Sequence, residues 1–464
     1  MLAHADFEEA FMKKLAIGAV SIGVLAVAGA LATSYYVGGR IEQAIEQTAD
    51  SWAEGSGVTV QVMDYERGII SSKATTLWSI ATEDDTYEIT AKHDILHGPW
   101  PMGKAAKVVS RFLLPEGTDP ALVKALEQRA PLEWTALADW SGATSNHMES
   151  PSFKAAFEDG SALTWGGLQM EWTMSAEMDA TKGFARMPAV QAEEQDGSRM
   201  EMSGAELRFD ARIPQGYSFW LGSSAMQLEH LNVRDATDES TVSVQGVEIK
   251  SVNQLKQELL SSDMSLHVKE LQSPSFSTKN ILLQIQANNI NAPWFEQWMG
   301  MMQTAGSTDE QVNQLIETLP LLLEGKPELQ IQRLSMDSSD GPVALSAFLR
   351  YVGEQPQAFD PAMDMAGQVQ LSMPVQFIKL IMDGRVRNDY VQLLEQMGSE
   401  VEEEELQAAV EKGVQQRLQM LIDNGVLKQG ADGVSATLSF SEGEFKLNEQ
   451  PQTLQQLLGI GSVL

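Results

Sequence analysis

The chain contains no cysteine in 464 residues, which excludes disulfides, thiolate metal sites and cysteine nucleophiles in one step. Basic residues are scarce too. Against 64 aspartates and glutamates stand only 32 lysines and arginines, a formal charge of −32. Non-specific nucleic-acid affinity comes from basic side chains displacing counterions, so this balance excludes nucleic acid as the main partner. The familiar catalytic motifs are also missing: no G-x-S-x-G elbow, no P-loop, no H-E-x-x-H, and no G-x-G-x-x-G opening a helix after a strand. No exact repeat period runs through the sequence, which argues against a propeller or regular solenoid.

What is present is enough apolar material for a core. Hydrophobic residues make up 43% of the chain and charged ones 21%, a composition that folds. The length suits one extended or two coupled domains. The strongest local signal is Leu15 to Ala32, "LAIGAVSIGVLAVAGALA", uncharged throughout and preceded by Lys13 and Lys14. At helical rise it spans roughly 27 Å, enough for a hydrocarbon core. The lysines should stay cytoplasmic while the rest is translocated. Ala30 and Ala32 form the A-x-A pattern of a cleaved leader, the competing reading. The length of the run, and Tyr35 and Tyr36 at its end, favour an uncleaved signal anchor over residues 12–37. Residues 1–11, acidic and followed by Met12, read as an extension from a misplaced start. The domain expected beyond the anchor covers 38–464, with a soft subdivision near 291.

Alternation dominates that domain. "VTVQVMDY" puts Val58, Val60 and Val62 on one strand face, and similar stretches recur through "ATTLWSIA", "TYEITAKHDI", "GAELRFDARI", "ILLQIQANNI", "PELQIQRLSM" and "AGQVQLSM". The fold expected is α+β and β-rich: a single N-terminal transmembrane helix, then a large, mostly antiparallel, curled sheet with helices inserted mainly in the C-terminal half. "NAPWFEQWMGMM" starts a helix with Asn291 as cap, and Thr308 with Gln311 forms a capping box. The longest helix expected carries Leu406, Val410, Val414, Leu418, Leu421 and Ile422 as its apolar stripe. Glu402 to Glu405 sit at its first turns, where the helix dipole favours acids; consecutive helical residues diverge, so this is a solvated helix start and not a metal patch. Glu193 to Gly197, "EEQDG", is the best internal loop.

Of the six histidines, only His93 and His97 are close in sequence. Four residues apart, they would share a helical face as metal ligands, but their segment alternates like a strand, which separates them by roughly 13 Å. No metal, cofactor or catalytic residue is assigned. In "DYERGIISS" (Asp64 to Ser72), Gly68 suits a turn or bulge with positive φ, so the stretch reads as a hairpin corner.

The charged start, the apolar anchor, "VMDYERGIISSKATT" (62–76), "HGPWP" (97–101) and "WLGSSAMQLEHLNV" (220–233) together resemble the YdgA-like family of bacterial envelope proteins of unknown function. The family pattern falls on Tyr65, Arg67, Gly68, Ser71, Ser72, His97, Gly98 and Pro99. The C-terminal "FKLNEQP" also resembles that family, except that Glu449 stands where members often have glycine. The resemblance implies a Gram-negative inner-membrane protein, single-pass, with its large domain in the periplasm. It brings no reaction or cofactor.

Three functions are consistent with this reading. The first is an envelope binding or transfer module for a lipid or hydrophobic ligand, for which a continuous apolar groove, made by a sheet with one apolar face curling, is the structural requirement. The second is a scaffold or assembly partner, self-associating as a homo-oligomer. The third is an envelope hydrolase built around His93 and His97.

Overall fold

The structure is a computed structural model, and it describes residues 58–68, 71–81, 86–97, 103–237, 240–274, 276–304, 308–397, 402–431 and 433–461. The expected anchor with Lys13, Lys14, Tyr35 and Tyr36 lies outside these residues, as do Gly98 and Pro99. Among the described residues no helix is long and apolar enough to cross a membrane. The chain divides into two compact units, at Ser240 and Thr241.

The first unit is almost entirely strand: β1 (Val58–Arg67), β2 (Ser71–Ala81), β3 (Thr86–His97), β4 (Ala106–Phe112), the short helix α1 (Pro120–Ala125), β5 (Leu132–Ala138), β6 (Thr144–Ser150), β7 (Phe153–Ala156), β8 (Ala162–Trp165), β9 (Leu168–Met174), β10 (Ala180–Glu193), β11 (Arg199–Arg212) and β12 (Leu221–Arg234). Pairing is antiparallel from β1 through β6, then to β9, β10, β11 and β12, while the β7–β8 hairpin joins beside the second half of β10. Burial alternates along β2, the second half of β3, β4, β5, β6 and β9, so one face of these strands is core and the other faces water. Trp78, Ile95, Val108, Trp134, Met148 and Trp172 share one buried cluster. The strands β4, β5, β6 and β10 are not among the stretches picked out by alternation. Their inward positions include Ser110, Thr144, Asn146 and Gly183, polar or small residues that blur the period-2 signal. "EEQDG" forms the tight β10–β11 turn, where Gly197 has φ +90° and Ser198 N–H donates to Asp196 Oδ1 at 2.8 Å.

The second unit has β13 (Thr241–Lys256), β14 (Leu259–Gln272), β15 (Ser277–Asn291), helices α2 (Ala292–Thr304) and α3 (Thr308–Glu324), β16 (Glu328–Ser338), β17 (Gly341–Tyr351), α4 (Pro361–Asp364), β18 (Met365–Met373), α5 (Val375–Met397), α6 (Glu403–Asp423), β19 (Lys428–Gln429), β20 (Val434–Ser441), β21 (Glu444–Leu447), β22 (Gln450–Gln452) and α7 (Leu454–Gly461). Its sheet is again antiparallel, β13 to β18 in sequence order, then β20, β21 and β22, with β19 beside β20. Residue 291 marks the change from β15 to α2 inside this unit. There Asn291 Oδ1 accepts the Trp294 N–H at 2.9 Å, the expected cap.

The stripe on α6 is buried as its spacing requires. It packs on Phe377, Ile378, Met382 and Val386 of α5 and on Val343, Met373 and Val434 of the sheet. Helix α5 is not among the helices expected from the sequence. Leu380, Ile381 and Leu393 stay exposed on it, so its apolar residues circle the axis instead of forming a stripe.

Candidate functional site

Two places concentrate unusual residues. The first is the corner between β1 and β2, where most of the family pattern falls. Register shifts by one residue between Val62 and Asp64, a β-bulge at Met63 that reverses which later residues face inward. Val60 and Val62 therefore face the core, and so does Tyr65, while Asp64 and Glu66 are exposed. Gly68 is not in the left-handed region, contrary to the positive φ expected for it from sequence: the positive-φ residues do not include it. Close approach explains it instead, because a Cβ there would stand 2.1 Å from the Ser71 carbonyl oxygen. Gly68→Val should accordingly cost several kcal/mol, at or above the ~1–3 kcal/mol typical of overpacking, read as a lower urea midpoint for the first unit; an unchanged midpoint would contradict the close approach.

Ser72 is buried, and its Oγ lies 3.1 Å from His97 Nε2. Burial and the Arg67 guanidinium both push His97 below its ordinary pKa. Ser71 and Arg67 are exposed at the same corner. The structure thus brings Arg67, Ser72 and His97 together, but among the described residues no carboxylate bonds to His97 to complete a triad.

His93 lies on the same face of β3, deeper in. Its Nε2 is 2.8 Å from Thr76 Oγ1 and its Nδ1 is 2.8 Å from Ser110 Oγ, while Trp78 Nε1 donates to Thr76 Oγ1 at 2.8 Å. The assignment that uses each proton once runs Trp78 N–H to Thr76, Thr76 O–H to His93 Nε2, and His93 Nδ1–H to Ser110. His93 is then neutral and fully bonded. Burial pushes its pKa down to about 4, against a smaller upward pull from Asp94, whose carboxylate is on the outer face, paired with Arg111 at 2.7 Å. His93 and His97 converge on no common ion, and among the described residues no cluster of three metal-ligating side chains occurs.

The second place is one face of the second unit's sheet, visible only once register is known. Met264 of β14 pairs with Ile285, Ile285 with Ile331, Ile331 with Ala347, Ala347 with Val369, and Val369 with Leu438. A neighbouring row runs Ile249, Leu266, Leu283, Leu334, Leu345, Leu371, Ala436, and a third carries Ala287, Leu329, Leu349, Gly367 and Phe440. The opposite face holds Asp263, Gln286, Gln330, Phe348, Gln368 and Ser439 in one matching row. Ile331 and Leu334 are three apart, which simple alternation would put on opposite faces. Gln332 is left unpaired between them, and this bulge returns Leu334 to the apolar side.

Helices α5 and α6 cover one end of this face through Met336, Val343, Leu371, Met373 and Ala436. Beyond that cover it is open: Met264 is 37% exposed, Leu329 52%, Leu349 42% and Val369 40%. Large aliphatic side chains this exposed, in adjoining register rows, form a contiguous patch and not scattered surface residues.

A family model described as a bacterial protein of unknown function (DUF945) matches residues 12–455. The chain belongs to the DUF945 family. Protein YdgA of Escherichia coli (strain K12) is 21% identical over 494 aligned residues, covering 95% of this chain and 96% of that protein. No solved structure matches. Membership of DUF945 thus covers both units, the signature corner and the apolar face, and the family description names no activity.

Proposed function

We propose that this protein is an envelope binding or transfer module, held in the inner membrane by its N-terminal segment with its large domain in the periplasm, and that it binds a hydrophobic ligand on the apolar face of the second unit. The observation that carries the reading is the set of aligned, part-exposed aliphatic rows from β14 to β18. An apolar surface of this kind is costly to leave in water, at about 25 cal/mol per Å², and binding sites are where such surface is retained.

We read the protein as a binder and not a catalyst. His93 is enclosed by Thr76, Ser110 and Trp78, and Ser72 is only 2% exposed, so neither is presented to a substrate. Self-association is the second reading, favoured by Leu380 and Ile381, both exposed on α5.

Native mass spectrometry of the full chain, solubilised from membranes in detergent, tests both. The expected result is co-purified lipid, reduced at least tenfold by Leu349→Glu combined with Val369→Glu; such a loss corresponds to about 1.4 kcal/mol. Equal lipid retention in the variant would overturn the site. A discrete oligomer free of lipid would favour the second reading.

A further inference from the structure

Resting on that proposed function, we infer that the ligand is a lipid with a long unbranched acyl chain, bedded across the strands and reaching from Met264 to Val369. Three features of the face select this occupant.

The first is composition. From β14 to β18 the two longest rows contain isoleucine, leucine, valine, methionine and alanine, with no ring and no hydrogen-bonding side chain; on β13 one row continues to Ile249 and the other ends at Ser251. Such a surface recognises by dispersion and water exclusion alone, which suits a flexible hydrocarbon better than a ring system that gains from stacking.

The second is relief. On one face of a sheet, side chains stand about 4.8 Å apart across strands but about 6.8 Å apart along a strand, two residues on. The rows are therefore close-packed ridges, and the furrows between them run across the strands. A hydrocarbon chain meets its neighbours at about 4 Å, so it beds in a furrow and not along a strand. Met264 and Val369 stand on β14 and β18, four strand spacings or about 19 Å apart. A membrane lipid's chain layer is half of a hydrocarbon core of about 30 Å, so one long chain is of that scale.

The third is what the face refuses. Each of β14 to β18 is hydrogen-bonded on both sides, so an extended peptide laid on the face would bury its own amides without partners. A second copy would bring another −32 of charge towards this one.

The missing cysteines make the test direct. Met264→Cys, Val369→Cys, Leu345→Cys and, on the polar face, Gln370→Cys each give the full-length protein one thiol. Maleimide labelling of each is timed in detergent with palmitoyl phosphocholine, with its octanoyl homologue, or with pyrene. The expected result is labelling at Met264 and Val369 slowed at least fivefold by the palmitoyl compound, less than twofold by the octanoyl one, and unchanged at Gln370. Pyrene matching the palmitoyl compound, the octanoyl homologue matching it, or protection confined to Leu345 and its strand would overturn the acyl-chain assignment while leaving a hydrophobic site. No protection by any compound would remove the site itself, and protection by rising protein concentration alone would assign the face to a second copy.

Discussion

Acidification from pH 7 to pH 4 is expected to remove roughly 3 kcal/mol from the stability of the first unit through His93 alone. The ring is neutral in the folded core, with a pKa held at about 4 by burial, whereas unfolding returns it to its ordinary 6.5. Between those values the unfolded chain binds the proton and the folded one does not, so stability falls as pH falls. The contribution is complete above pH 6.5, declines through the interval, and is lost below 4. Protonation would also put donors on both ring nitrogens and force Thr76 to turn its own proton away from the ring.

His93→Gln removes the titrating group while keeping a side chain that hydrogen-bonds. Urea unfolding followed by tryptophan fluorescence, which reports Trp78 and Trp134 in this core, should give wild type a steeper loss between pH 6.5 and 4 than the variant. Parallel curves for the two proteins would show that His93 is not the group responsible.

Asn448→Ala is expected to cost the second unit about 3 kcal/mol. Asn448 is 5% exposed, between β21 and β22, and its side chain ties three chain segments together. Its Oδ1 accepts the Thr437 N–H at 2.9 Å, and its Nδ2 donates to the Gly425 and Val426 carbonyls at 2.8 and 3.0 Å. Each bond is worth about 1 kcal/mol net, and more where a buried partner is left unmet. The residue thereby pins the end of α6 to β20 and the last hairpin. Asn448 also has φ +52° and Glu449 φ +73°, a left-handed pair that asparagine tolerates and that glycine would relax at the second position.

Asn448→Gly separates the two contributions. It keeps the backbone free to turn but loses all three bonds, so it should recover only about 1 kcal/mol of the alanine loss. Denaturant midpoints of the three proteins decide it, and a glycine variant as stable as wild type would refute the pinning role.

Much of the β-rich architecture is legible in the sequence because the signals are local. Alternation over "TYEITAKHDI" yields β3, the apolar stripe over Leu406 to Leu421 yields α6, and Asn291 before an alanine and proline yields the cap of α2. The signature corner was legible as a turn for the same reason. Its internal logic was not: the Met63 bulge puts Tyr65 inward, and Gly68 is required by contact with Ser71 and not by its own dihedral.

The apolar face was not legible; the sequence reading asked for an apolar groove and the structure shows aligned rows on one face of the sheet. In "PELQIQRLSM" and "ILLQIQANNI" polar and apolar residues mix with spacings of two and three, and nothing local says which ones will align. Composition and short-range periodicity were sufficient for a cysteine-free, acidic, strand-dominated chain, because those properties need no knowledge of partners in space. Pairing register and bulges decided the rest. They turned scattered aliphatic residues into rows, closed His93 into a hydrogen-bonded chain with Thr76 and Ser110, 17 positions away on either side, and set Ser72 against His97, 25 positions away, meetings that only the folded sheet enforces.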